Sequence, residues 1–252
     1  MTVKAVDLFC GAGGLTHGLL KAGIEVVAGY DIAESCRFAY EHNNNAKFIN
    51  QSVTELTAEE IIKHFDGAEY SLLAGCAPCQ PFSSYSRPKR KTNDDRWDLL
   101  TSFGRLIGEV LPDFITMENV PGLLDQEVFS RFIDVLEKNN YQHDYKVVYC
   151  PDYGMAQSRK RLVLVASKHG RINLIPPTHG PDTYVHVQEV IGHLPAIQAG
   201  ETHPYDRLHK SPRLSSLNMM RIRASKPGGT WLDWPEHLRA ECHKKDSGQT
   251  FS

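Results

Sequence analysis

The sequence predicts an α/β fold: a doubly wound, mostly parallel sheet, followed by the start of a smaller C-terminal domain. Three observations carry this. From residue 4 to about 167, short apolar runs alternate with spans of helical character. The runs are rich in Val, Ile, Leu, Phe and Tyr, and several end in a polar or small residue at the carboxyl side. After Lys168 the character changes to turn-rich stretches such as "IPPTHGPD" and "SKPGGTWLDWPEHL". The expected boundary puts a large domain at 1–178 and a partial smaller one at 179–252.

The elements follow in order. Strands are expected at Ala5–Phe9, Glu25–Asp31, Tyr70–Cys76, Asp113–Glu118, Tyr145–Cys150 and Leu162–Ser167, with a weaker one at Lys47–Ile49. Helices are expected at Leu15–Ala22, Glu34–His42, Trp97–Val110 and Glu127–Asn139. The last two strands are joined by about a dozen residues without a clear helix, so an antiparallel pairing is expected there. Such a sheet places ligands beyond the carboxyl ends of its strands.

Composition narrows the class. A hydrophobic content of 41% with 23% charged residues fits an ordinary globular protein, and 252 residues suffice for one large core. The N-terminus lacks the build of a signal peptide, and no apolar run reaches membrane-spanning length. Six cysteines without a disulfide rhythm suit a reducing, cytoplasmic setting. The net charge of −2 does not point to nucleic acid by itself, although "RPKRK" at 87–91 and "SRKR" at 158–161 are local basic clusters.

"DLFCGAGG" follows the first strand and opens the first helix. Gly11, Gly13 and Gly14 permit a tight turn and a close ligand, and the helix N-terminus offers free N–H groups. A dinucleotide fingerprint requires glycine at position 16, where Thr16 stands, and this weakens the pyrophosphate reading. Asp31 ends the second strand, placed to accept two ribose hydroxyls. A nucleoside without a pyrophosphate, commonly S-adenosyl-L-methionine, suits both features; so does a plain glycine turn in an α/β enzyme.

"GCAPCQPFSSYS" sets Cys76 and Cys79 three apart. A structural zinc site needs a second ligand pair, which is missing. Zinc deaminases need His-x-Glu and a cysteine at position 82, where Phe82 stands. A redox pair would open a helix, whereas Pro81 and serines follow. One nucleophile, Cys79, on a turn stiffened by Pro78 and Pro81, fits better, with Cys76 as a small strand-end residue. Glu118 and Asn119 end the fifth strand and Arg159 and Arg161 open the last, so a carboxyl, an amide and two guanidiniums converge with the thiol. Each alone also has an ordinary structural reading: a capping Glu, an Arg in a salt bridge.

Together "DLFCGAGG", "PCQPFS", "ENV" and "QSRKR", in this order, resemble the motifs of the cytosine-C5 DNA methyltransferase family over residues 4 to about 167. The resemblance implies a Rossmann-like, S-adenosyl-L-methionine-dependent methyltransferase acting on a cytosine flipped out of double-stranded DNA. It implies Cys79 as the nucleophile at cytosine C6, Glu118 as the contact to N3 and the exocyclic amine, and Arg159 and Arg161 as supports. Asn119 would hold the catalytic loop region. Phe9, Gly11 and Gly13 would line the methionine and adenine pocket. Asp31 would take the ribose and Ile32 the adenine face, with Pro78 and Leu99 at the border. The basic "SSYSRPKRKTNDDR" resembles a loop that closes over DNA. No metal and no membrane are implied.

Two departures stand out. After the third strand the family has an acidic residue that contacts adenine; Ser52 occupies that place. The family also has two further segments beyond the target-recognition region, and "HKKDSGQTFS" precedes both. The expectation is therefore part of a longer protein, or one subunit of a split enzyme whose second chain supplies the rest. Alternatives are a tRNA cytosine-C5 methyltransferase, whose Cys-Phe-Thr segment is missing here, and a non-catalytic subunit. A nicotinamide oxidoreductase is disfavoured by Thr16.

Overall fold

The computed structural model describes residues 2–78 and 98–241. The chain divides into two compact units, residues 1–190 and 191–252. The first is built on a seven-stranded sheet. Its strands are β1 (Val3–Leu8), β2 (Glu25–Asp31), β3 (Lys47–Asn50), β4 (Tyr70–Gly75), β5 (Phe114–Asn119), β6 (Gln142–Tyr149) and β7 (Lys160–Ser167). The spatial order is β3-β2-β1-β4-β5-β7-β6. Strands β1 to β5 pair in parallel, while β7 pairs antiparallel with both β5 and β6. The antiparallel pairing of the last two strands is as expected; the insertion of β7 between β5 and β6 is an addition to that expectation.

The central strands lie deep in the sheet. Ala5, Val6, Leu8, Leu72, Leu73, Ile115 and Met117 are buried, consistent with helices on both faces. Between strands run α1 (Gly14–Lys21), α2 (Arg37–Asn44), α3 (Ala58–Ile62), α4 (Asp98–Val110) and α5 (Glu127–Lys138). Helix α5 buries Val128, Phe129, Phe132 and Leu136 along one stripe. Phe132 meets Phe103 of α4 with ring centroids 5.4 Å apart. The short α3 was not anticipated. It starts at a capping box in which Thr57 accepts from the Glu60 amide and the Glu60 carboxylate accepts from the Thr57 amide.

The expected domain boundary of 178/179 falls ahead of the observed division. Thr178 and His179 donate their amides to the Asp152 carbonyl, and the Tyr184 hydroxyl donates to the Asp152 carboxylate at 2.6 Å. These bonds tie the segment to the large unit, and α6 (Val187–Ile191) runs to the junction. The second unit contains a hairpin of β8 (Thr202–His203) and β9 (Asp206–Lys210) and the helix α7 (Ser216–Ala224), capped by the Ser215 hydroxyl. Arg221 donates to the Leu238 carbonyl, and Arg239 to the carbonyls of Trp234 and Leu232.

A buried polar chain holds the turn that leaves β1. Thr16, at the start of α1, donates its hydroxyl to Asp7 Oδ2 at 2.7 Å and lies 3.0 Å from the Tyr40 hydroxyl of α2. With its proton on Asp7, Thr16 accepts from Tyr40. All three side chains are fully buried. Tyr40 packs over Gly29 so closely that a Cβ there would stand 2.3 Å from its oxygen, which excludes any larger residue. Gly13 is similarly enclosed by Asn44 and Tyr40, and its φ of +90° lies in the left-handed region.

Among the described residues Asp7 Oδ1 has no hydrogen-bond partner. Burial, opposed by the Thr16 hydrogen bonds, raises the Asp7 carboxyl from its ordinary 3.8 to about 7. The folded state thus holds this proton more tightly than the unfolded chain. The stability it contributes is complete below about pH 4 and is lost as pH rises to about 7. Measured by denaturant unfolding, wild type should lose on the order of 4 kcal/mol relative to Asp7→Asn across that interval. Parallel pH profiles for the two proteins would contradict a protonated, buried Asp7.

Candidate active site

The strand order reverses direction at β1, which has β2 on one side and β4 on the other. Beyond the carboxyl ends of these strands lies the switch point where α/β sheets bind ligands. A cleft of about 340 Å³, counted out to open solvent, occupies this place and is lined by Phe9, Asp31, Ile32, Gln51, Ser52, Val53, Pro78 and Leu99.

Each wall follows from local structure. Phe9 leaves β1 with φ +58°, a left-handed conformation that costs a non-glycine residue about 1–2 kcal/mol. The Cys10 amide then bonds the Tyr30 carbonyl, and the Gly13 amide the Cys10 carbonyl. Gly11, with φ +50°, has no atom within 4 Å of where a Cβ would sit. Its amide donates to Asp31 Oδ2 at 2.9 Å, and the Ala33 amide donates to Asp31 Oδ1 at 2.8 Å. Each carboxylate oxygen therefore keeps capacity for one more donor. Ile32 follows with its side chain 74% exposed over the cleft. Ser52 bonds the Thr54 hydroxyl at 2.7 Å, and Gln51 donates to Glu60.

The cleft thus brings together Phe9, Asp31, Ile32, Ser52, Pro78 and Leu99 of the residues expected from the sequence. It does not include Gly11 and Gly13: the first braces Asp31, and the second is packed against α2. Gln51 and Val53 were not anticipated. Their signal was their place on either side of Ser52 after a strand.

A second cluster lies at the ends of β5 and β7. Glu118 Oε1 forms an ion pair with Arg161 Nε at 2.6 Å. The charge of Arg159 and the neighbouring Cys76 thiol both favour the ionised form of the same carboxyl. Burial outweighs these, and Glu118 titrates above its ordinary value. Asn119 is buried; its amide donates to the Ala77 carbonyl at 3.1 Å, and its oxygen accepts from the Val120 amide. Asn119 therefore ties the end of β5 to the segment leading out of β4. Cys79 and the basic run at 87–91 lie outside the described residues. Burial pushes the Cys76 thiol well up, with Asp7 and Glu118 adding to the effect, so Cys76 is a poor thiolate.

Among the described residues no group of three or more His, Cys, Asp or Glu side chains could hold a metal ion, and no helix is long and apolar enough to cross a membrane. The cluster and the cleft share the carboxyl edge of one sheet.

Comparison with known proteins follows the same lines. The family model for C-5 cytosine-specific DNA methylase matches residues 3–247. The Type II methylase M.HgiDII of Herpetosiphon aurantiacus is 48% identical over 254 residues, covering 100% of this chain and 71% of the relative. The Type II methyltransferase M1.HphI of Haemophilus parahaemolyticus is 29% identical, covering 95% of this chain and 65% of the relative. This chain thus spans roughly two-thirds of the length of these two relatives. Among solved structures, an E. coli prophage-encoded protein described as a DNA modification methyltransferase superposes with a TM-score of 0.67 at 26% identity, over 87% of this chain and 64% of that one. The DNMT2 of Spodoptera frugiperda superposes with a TM-score of 0.56 at 25% identity, over 69% of this chain and 56% of its own. With the seven-stranded sheet and its two adjoining clusters, the match over nearly the whole chain makes this protein a member of the C-5 cytosine-specific DNA methylase family, enzymes that methylate C5 of cytosine in DNA.

Proposed function

We propose that this chain carries the catalytic core of a DNA cytosine-C5 methyltransferase, with Cys79 as nucleophile, the cleft as cofactor pocket, and residues 191–252 as part of the target-recognition region. The observation that carries the reading is the Glu118 carboxyl, held by Arg161 at the strand edge beside the cleft.

The residues of the cleft fit S-adenosyl-L-methionine. Phe9, Ile32, Val53 and Leu99 supply apolar walls for an adenine ring, and Asp31 retains acceptor capacity for the two ribose hydroxyls. The unencumbered side of Gly11 lets a ligand approach the backbone. Position 16 argues against a dinucleotide, since Thr16 is buried and committed to Asp7. Adenine recognition rests on Ser52 and Gln51 in place of an acidic residue. When bound, this cofactor supplies an electrophilic methyl group for C5.

Chemistry then falls to the chain. C5 of cytosine is a poor nucleophile, so the Cys79 thiolate adds to C6, forming a C–S bond and leaving C5 enamine-like. Glu118 meets N3 and the exocyclic amine and stabilises the ring as charge develops there. Burial raises the pKa of this carboxyl, which moves it toward taking up a proton. After methylation the C5 proton is removed and the C–S bond breaks, which restores the ring and releases Cys79. Arg161 and Arg159 keep the carboxyl oriented. The target base must be flipped from the duplex, because neither face of C6 is reachable inside the stack. A cytoplasmic setting agrees with Cys10, Cys36, Cys76 and Cys150 being free thiols.

Trapping with DNA that carries 5-fluorocytosine at the target should yield a covalent adduct through Cys79, located by peptide mapping. Cys79→Ser should lower kcat by at least ~10³-fold and abolish the adduct, with cofactor affinity nearly intact. An adduct at Cys76 would overturn the assignment. By calorimetry, Asp31→Ala should weaken S-adenosyl-L-methionine by about 10- to 100-fold. Unchanged affinity would remove the ribose contact from the reading.

A further inference from the structure

We infer that Gln51 is a specificity-determining residue at the adenine end of the cleft: Glu60 of α3 turns its side-chain amide so that the carbonyl oxygen is left to accept from an exocyclic amino group. This rests on the reading of the cleft as a cofactor pocket, and names the group that would tell adenine from other purines there.

Gln51 stands one residue past β3, whose last residue, Asn50, pairs with Asp31 at the end of β2. The Gln51 backbone amide bonds the Ile49 carbonyl at 3.1 Å, and the Asn50 side chain donates to the Asp31 carbonyl at 3.1 Å. The backbone at this point is thus pinned beside Asp31. Gln51 lines the cleft, and its Nε2 donates to Glu60 Oε1 at 3.2 Å.

Glu60 is itself held. Its Oε2 accepts from the Thr57 amide at 2.9 Å and from the Thr57 hydroxyl at 3.0 Å. Leu56 ahead of α3 and Ile61 within it are buried, and Arg105 of α4 donates to the Leu56 carbonyl at 2.9 Å, so the helix is fastened to the core. The Thr57 amide above all, with the Gln51 amide, keeps the Glu60 carboxyl below its ordinary value, and it is ionised near neutral pH.

An ionised carboxylate only accepts, which leaves the Gln51 amide one orientation: its NH2 toward Glu60 and its carbonyl oxygen away. Among the described residues that oxygen has no hydrogen-bond partner. Donation to a charged acceptor also polarises the amide, so the Glu60 charge reaches the cleft as a stronger carbonyl acceptor. Ser52 offers less, because its hydroxyl already bonds the Thr54 hydroxyl at 2.7 Å and accepts from the Thr54 amide at 3.3 Å. An acceptor fixed in this way favours a purine with an amino group at C6. A purine with hydrogen at that carbon would leave the acceptor unpaired.

The test is calorimetry of the full-length protein with S-adenosyl-L-homocysteine and with its analogue carrying hydrogen in place of the 6-amino group. Wild type should bind the amino compound about 10-fold more tightly than the analogue. Gln51→Leu should bring the two within about twofold by weakening the amino compound alone, and retained affinity for the analogue reports an intact pocket. Glu60→Ala, which frees the amide to turn over, should cut the preference to about 3-fold. A preference kept by Gln51→Leu, kept in full by Glu60→Ala, or lost in Ser52→Ala but not in Gln51→Leu, would overturn the inference alone. If wild type binds neither compound, the cofactor reading of the cleft fails, and the inference falls with it.

Discussion

The hydrogen-bonded chain from Asp7 through Thr16 to Tyr40 is the constraint on which the cofactor side of the molecule depends. It joins the end of β1, the first turn of α1 and the middle of α2 inside the core, where an unmade bond would cost about 1–3 kcal/mol. Because α1 is fixed there, the turn from Phe9 to Gly13 must close in few residues, and it does so through left-handed conformations at Phe9, Gly11 and Gly13. That turn delivers the Gly11 amide to Asp31, and Asp31 in turn fixes the wall of the cleft. Gly29 completes the arrangement by leaving room for Tyr40. The turn and the Asp31 wall of the pocket are thus tied to one buried polar contact.

The reaction side is organised differently. There the strands themselves do the positioning: β5 carries Glu118 and Asn119 outward between β4 and β7, and each neighbour contributes a contact. Asn119 reaches back to Ala77, two residues ahead of Cys79, while Arg161 holds the carboxyl. The insertion of β7 between β5 and β6 is what allows this. An arginine at the start of an antiparallel strand arrives at the same edge as a glutamate at the end of its partner. A parallel β7 would have carried Arg161 to the opposite end of the sheet.

Much of this was legible in the sequence, for physical reasons. The central strands are rich in apolar residues, as sheets covered on both faces require, and the "DLFCGAGG" turn combines three glycines with a strand before and a helix after. Six of the eight cleft residues could be named because the resemblance fixes their spacing from strand ends. What escaped depends on contacts between distant residues. Gly13 serves packing against Tyr40 and Asn44, which only the folded arrangement reveals. The helix α3 did leave a local trace, since Thr57 and Glu60 form the spacing of a capping box ahead of apolar residues. The boundary between units was displaced because Asp152 gathers Thr178, His179 and Tyr184, bonds that no change in composition announces.

Membership of the methylase family leaves the position of the transferred methyl as the claim on which everything else rests. Incubating the full-length protein with DNA and methyl-labelled S-adenosyl-L-methionine, then digesting to nucleosides for mass spectrometry, locates that group directly. The account predicts label in 5-methylcytosine alone. Label in N4-methylcytosine or N6-methyladenine would contradict it, because neither exocyclic nitrogen needs addition of Cys79 to a ring carbon.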